Sequence, residues 1–195
     1  MAVTTEQIKE LRDLTGVSVM QCKNALEEAE GDIEKAKIIL QKLSKKAASK
    51  KSDRELGAGT VSAYIHAGGN VGAMVELQCE TDFVSKNDEF QTLARDIAMH
   101  VAASCPEFLS SDEIDEAAKE KAREVFSGEA EGKPEDIKQK IIDGKLEAYF
   151  KEKTLLNQDF IKDPSKTISI LLEEAIQKFG EKVQIGRFAR FGVLE

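Results

Sequence analysis

Apolar positions recur at helical spacing over the first 43 residues, alternate between about 59 and 79, and return to helical spacing beyond 87. Three short helices open the chain. Thr4 with Gln7 has capping-box spacing, Ile8, Leu11 and Leu14 form a stripe, and Gly16 supplies a left-handed stop. Ser18 with Gln21 opens a second helix with Cys22, Ala25, Leu26 and Ala29 inward and Gly31 at its end. Asp32 caps a third, with Ile33, Ala36, Leu40 and Leu43 inward. Residues 45–54 have no apolar stripe and read as a solvated linker or as a continuation of the third helix.

After Gly57 and Gly59 the period becomes two: Val61, Ala63 and Ile65 alternate with Ser62, Tyr64 and His66. The tip from Ala67 to Asn70 is hairpin punctuation, and the return strand carries Val71, Ala73, Val75, Leu77 and Cys79 on one face. A long amphipathic helix from Asn87 shows Phe90, Leu93, Ala94, Ile97 and Val101, and stops at Cys105-Pro106. Ser110 with Glu113 reads as another capping box, starting a charged helix to about Phe126. A glycine-rich corner, Gly128 to Gly132, then precedes Pro134 in the first turn of a partner helix, so residues 113–153 form an antiparallel helical hairpin. A polar stretch through Asp163-Pro164 leads to a helix with Ile168, Leu171, Leu172, Ala175, Ile176 and Phe179, stopped by Gly180. Alternation resumes from Val183 to Phe191. The fold class is α+β: a three-helix module with its basic linker (1–54), then a core (55–195) with a three-stranded antiparallel sheet (about 59–66, 71–79 and 182–191) packed by helices.

Composition narrows the class. The 195 residues are 41% hydrophobic, 33% charged and 6% aromatic, with a net charge of −8, which suits a globular chain with a real core. No apolar run approaches the ~18 residues of a membrane span, and the polar, acidic start Met1 to Glu10 argues against a secretory signal. Cys22, Cys79 and Cys105, odd in number and widely spaced, suit a reducing cytoplasm. The charge is uneven: residues 1–54 are net +2 and the rest net −10. A basic excess lies at Lys37 to Arg54 and an acidic one at 107–131. The overall balance opposes general nucleic-acid binding.

Catalytic chemistry has little support. No phosphate loop, dinucleotide fingerprint, HExxH or CxxC occurs, and no cofactor or metal is expected. Cys79, Asp82 and His66 or His100 could compose a thiol triad, but Cys79 shares a face with Val75 and Leu77 and reads as an inert buried thiol. His100 reads as a structural histidine within a helix, and His66 as an exposed hairpin residue. The segment Thr81-Asp82-Phe83-Val84 resists a bland explanation, because it stands where a strand ends and a helix begins. Phe83 is either a staple packed under Phe90 or a protruding apolar wedge beside a carboxylate.

Three segments together resemble the elongation factor Ts family. They are Leu11 to Gly16 with Met20 to Leu26 and Gly31-Asp32; Gln78-Cys79-Glu80-Thr81-Asp82-Phe83-Val84; and His100 to Ala103, with Gly132-Lys133-Pro134 and Phe160 to Lys166. The resemblance implies a ubiquitin-associated-like amino-terminal bundle and nucleotide exchange on elongation factor Tu, with no catalysis by the chain itself. It implies that Thr81, Asp82, Phe83 and Val84 enter the partner's GTPase domain near its magnesium and phosphate site. Leu11, Arg12 and Met20 would hold that domain, and His66 and Gly72 would touch another. A single core sheet with open edges implies a homodimer, as in short members of the family. A ubiquitin-associated-like adaptor, an RNA-associated protein using Lys37 to Arg54, and a thiol enzyme are the competing readings.

Overall fold

The computed structural model describes residues 3–129 and 135–194. Of the expected corner from Gly128 to Gly132, Gly128 and Glu129 belong to the last turn of a helix, and residues 130–134, with Met1, Ala2 and Glu195, lie outside the described residues. The helices are α1 (Thr5–Thr15), α2 (Val19–Glu28), α3 (Ile33–Lys51), α4 (Asp82–Ser85), α5 (Asp88–Ser104), α6 (Glu116–Glu129), α7 (Glu135–Lys153) and α8 (Ile168–Phe179). The strands are β1 (Ala58–Ile65), β2 (Val71–Cys79), β3 (Asp159–Phe160), β4 (Asp163–Thr167) and β5 (Val183–Gly192). The main sheet has the order β1-β2-β5, with β2 in the middle, and β3 pairs with β4 as a separate antiparallel ribbon. The α+β class stands. No helix among the described residues is long and apolar enough to cross a membrane.

The chain divides into two compact units. The first comprises Met1–Ser62, Val75–Asp96 and Ser169–Gly186. Its three-helix bundle forms for the local reasons expected. Thr4 Oγ1 accepts from the Gln7 N–H at 3.2 Å while Gln7 Oε1 accepts from the Thr4 N–H at 2.9 Å, completing the capping box. Ser18 and Asp32 cap α2 and α3, and Gly16 takes φ +68°. Leu11, Val17, Cys22, Ala25, Leu26, Ala29, Ala36 and Leu40 make the bundle's own core. Leu14 and Leu43 do not join it: they are 53% and 42% exposed, at the margins of stripes too narrow to cover them. The basic segment is helical to Lys51, because lysine and alanine sustain a helix without a buried face. In the same unit the Phe90 ring is fully buried and meets Phe179 edge-on at 5.7 Å.

The second unit comprises Ala63–Met74, Ile97–Ile168 and Arg187–Glu195. Its hairpin tip turns through Gly68 and Gly69, at φ +91° and +72°. The His66 N–H donates to the Val71 carbonyl at 2.9 Å and closes the turn. α6 and α7 share a small core of Ile142 and Leu146 with Ala122, Phe126, Ile141 and Phe150 against it. The Ser110–Glu113 capping box is not formed. Residues 111–113 make a 3-10 turn, Glu113 instead accepts from the Leu109 N–H at 2.6 Å, and Asp115 caps α6 through the Ala118 N–H at 2.7 Å. The stretch read as merely polar folds into β3 and β4.

His100 is fully buried in this unit and explains part of that ribbon. Its Nδ1 accepts from the Ile161 N–H at 3.3 Å, so Nε2 carries the proton and donates to Gln158 Oε1 at 2.9 Å. Burial pushes the imidazole pKa down, with the Gln158 bond opposing, and so favours the neutral ring. His100 is therefore a structural histidine.

Candidate functional site

Strand β2 delivers the 81–84 segment. Its alternating residues Ala73, Val75, Leu77 and Cys79 are buried, which fixes the strand's inward face up to its last residue. Cys79 closes the strand with its thiol donating to the Thr81 carbonyl at 3.2 Å. Burial raises the pKa of that thiol, so it is not held as a reactive thiolate. Thr81 has extended backbone, φ −128° and ψ 157°, and the chain then turns abruptly into the four-residue helix α4.

That single turn separates its residues sharply. Val84 and Ser85 are buried at 5% and 8% exposure, whereas the Phe83 side chain stands out at 84%. Val84, not Phe83, supplies the inward apolar contact, and Phe90 is filled in by Phe179. The staple reading of Phe83 is therefore wrong. At this exposure the Phe83 ring buries little surface within the chain. Asp82 lies in the first turn and pairs with Lys86 at 2.6 Å, and that hydrogen bond lowers its pKa. Both partners are well exposed, so the pair adds little stability.

Below the turn, the root of the segment is held by a polar cluster that sequence spacing did not reveal. Glu181 Oε2 accepts from the Thr81 N–H at 3.0 Å and Oε1 from its hydroxyl at 2.6 Å. The neighbouring Glu80 accepts from the Lys182 N–H at 2.5 Å and from Arg54 Nη1 at 3.1 Å. The Lys182 N–H, then Arg54, hold the Glu80 carboxyl below its ordinary pKa. Lys182 Nζ reaches back to the Ser52 and Arg54 carbonyls at 2.6 and 3.0 Å. Glu181 lies 100 positions from Thr81 in sequence. The only hint in the sequence was Gly180, whose left-handed φ of +74° ends α8 and turns the next residues toward β2.

The other expected residues sort by exposure. Leu11 is fully buried in the bundle core, so it cannot itself offer a contact; it shapes the helix that carries Arg12. Arg12 is exposed and Met20 is 64% exposed. Leu14 and Val19 are likewise exposed, at 53% and 51%. His66 is exposed and shares a 3.2 Å hydrogen bond with the Tyr64 hydroxyl through Nδ1. Gly72 is buried; a Cβ there would lie 2.6 Å from Ile65 Cδ1, the end of an exposed side chain that can move aside. On the same part of the sheet, Ala63, Ile65, Met74, Phe191 and Val193 line an apolar hollow of about 290 Å³. Among the described residues no group of three or more His, Cys, Asp or Glu is placed to hold a metal.

These features define a small helical bundle joined to an α+β core that displays a rigidly rooted aromatic turn. The family described as elongation factor TS matches residues 2–195. Elongation factor Ts of Acetivibrio thermocellus is 50% identical over 191 residues, 97% of this chain and 89% of that protein. The protein of the same name from Carboxydothermus hydrogenoformans is 49% identical over 97% of this chain and 88% of its own. That of Thermodesulfovibrio yellowstonii is 45% identical over 99% and 97%. The chain belongs to the elongation factor Ts family.

Proposed function

We propose that this chain is a guanine nucleotide exchange factor for elongation factor Tu and acts in the cytoplasm by displacing GDP rather than by catalysing a reaction. The observation that carries the reading is Phe83, 84% exposed on a turn whose next residue is buried. A hydrophobic ring kept in water on an anchored support suits insertion into another protein. Asp82 and Thr81 are the polar groups beside it, and Val84 is the inward anchor of the turn. Residues 1–54 act as the docking module, with Arg12 and Met20 in the contact face and Leu14 and Val19 beside them; Leu11 acts from the core. His66 and the tip near Gly72 form a lesser contact.

Energetics set the form of the mechanism. Tighter binding to the nucleotide-free partner than to its GDP form requires an equal weakening of GDP. A ten-thousand-fold faster release needs a barrier lower by about 5.5 kcal/mol, and one buried phenylalanine provides only about 1.5–3 kcal/mol. The docking face must therefore supply contacts that form fully only when the turn is inserted.

The same reading includes a homodimer through the core sheet. Ile65, Met74, Phe191 and Val193 are 47–72% exposed around the apolar hollow, and a second copy of that face would cover it with matching residues. Neither nucleic acid nor membrane is a direct partner. The deciding experiment is release of fluorescent GDP from elongation factor Tu with and without this protein. Acceleration at substoichiometric amounts is expected, and an unchanged release rate refutes the function.

A further inference from the structure

Thr81 precedes α4 at the N-cap position, where a threonine hydroxyl normally accepts from an N–H of the first turn. Here it makes no such bond. The hydroxyl is drawn away to donate to Glu181 Oε1, while the Thr81 N–H donates to the other oxygen of the same carboxylate. One side chain thus holds both the direction of the residue's backbone and its rotamer. A reciprocal bond lies alongside: Glu80, from the β2 side, takes the N–H of Lys182, as Glu181, from the β5 side, takes that of Thr81. These bonds tie the chain at the point where β2 ends, and Gly180 sets up both by reversing the chain after α8.

We propose that Glu181 is the positioning residue of the exposed turn: by gripping Thr81 through two hydrogen bonds, it fixes the direction in which Phe83 projects. The inference rests on the reading of that turn as the nucleotide-release element. Without the carboxylate, the Thr81 hydroxyl is free to swing back and cap α4, and the Thr81 N–H loses its acceptor. α4 would still form, but its aim would no longer be unique. Glu181 touches no substrate in this account and acts only through Thr81.

The test uses the full chain and fluorescent-GDP release from elongation factor Tu, titrated with Glu181→Ala, Glu181→Gln, Thr81→Val and Phe83→Ala. Glu181→Ala and Thr81→Val should each lower the maximal release rate about tenfold, the size expected for losing a charge-assisted hydrogen bond. The half-saturating concentration should stay within about twofold, since the docking face is intact. Glu181→Gln should keep most of the rate, because its amide can accept from the N–H and donate to the hydroxyl. Adding Glu181→Ala to Phe83→Ala should cost nothing further. A folded Glu181→Ala protein with wild-type maximal rate overturns the assignment, as does a loss confined to half-saturation or a Glu181→Gln variant as slow as Glu181→Ala. Should Glu181→Ala melt below the assay temperature, release is measured below its melting point, where a wild-type maximal rate still overturns the assignment. The Phe83→Ala arm separates the two levels. If it releases at full rate, the reading of the turn fails; if it is slow and Glu181→Ala is fast, only the role of Glu181 fails.

Discussion

Replacing Phe83 with alanine separates a contact made inside the chain from one made outside it. The ring is 84% exposed, so its removal leaves no cavity, and the folded chain should change by less than about 0.5 kcal/mol. If the ring is buried in the partner GTPase during release, its loss forfeits about 1.5–3 kcal/mol of burial, which corresponds to about 10- to 150-fold in rate. Phe90→Ala provides the opposite signature. That ring is fully buried against Phe179, and its truncation should cost about 3–5 kcal/mol of stability. Stopped-flow release of fluorescent GDP, paired with thermal melting by circular dichroism, reads both quantities on the same preparation. A Phe83→Ala protein that melts normally and releases GDP at the wild-type rate would refute the wedge argument. One that melts many degrees lower would show that the ring has a structural role its exposure does not reveal.

Three further outcomes are expected. Because the folded pKa of Glu80 lies below the ordinary carboxylate value of about 4.3, the unfolded chain takes up the proton first as pH falls. Its stabilisation is thus complete above that value and lost as pH drops through the folded one. The melting-temperature gap between wild type and Glu80→Gln should be open at pH 7 and narrow progressively as the pH falls below the ordinary carboxylate value. Thr154 is fully buried with no partner for its hydroxyl, so Thr154→Val should raise the unfolding free energy by about 1 kcal/mol in urea titrations. Paired Ile65→Glu and Phe191→Glu substitutions should convert a dimer to a monomer by light scattering, with melting little changed because both side chains are exposed; a wild-type chain that is monomeric at micromolar concentration contradicts the dimer.

Features written in local chemistry were legible. Thr4, Ser18 and Asp32 cap their helices because each bond spans only three residues. The same signature misled at Ser110 and Glu113, where Glu113 binds Leu109 and Asp115 takes over the capping. A pattern of residue types does not say which of two nearby carboxylates an N–H will meet. The turn at 81–84 was legible as a place but not as a geometry. Spacing allowed Phe83 to face inward, and only the backbone turn shows that Val84 takes that position. The grip of Glu181 on Thr81 was out of reach, since it joins residues 100 positions apart and carries no hydrophobic period. The β3–β4 ribbon was missed because Asp163, Pro164 and Ser165 have low strand propensity; the ribbon runs from buried Phe160, whose next residue donates to His100.

The continuation of α3 through residues 44–51 bears on how the two elements proposed to bind the partner would act together. As a flexible coil, eight residues would let their ends wander over about 16 Å, and each encounter would include a search. As a helix they span a set distance of about 12 Å, and the Lys182 bonds to the Ser52 and Arg54 carbonyls hold the helix end beside the root of the aromatic turn. The ordering is completed when the chain folds, not when a partner arrives. Capture by one element then presents the other at a distance and angle settled in advance, so the second contact follows as an intramolecular step whose rate is independent of protein concentration.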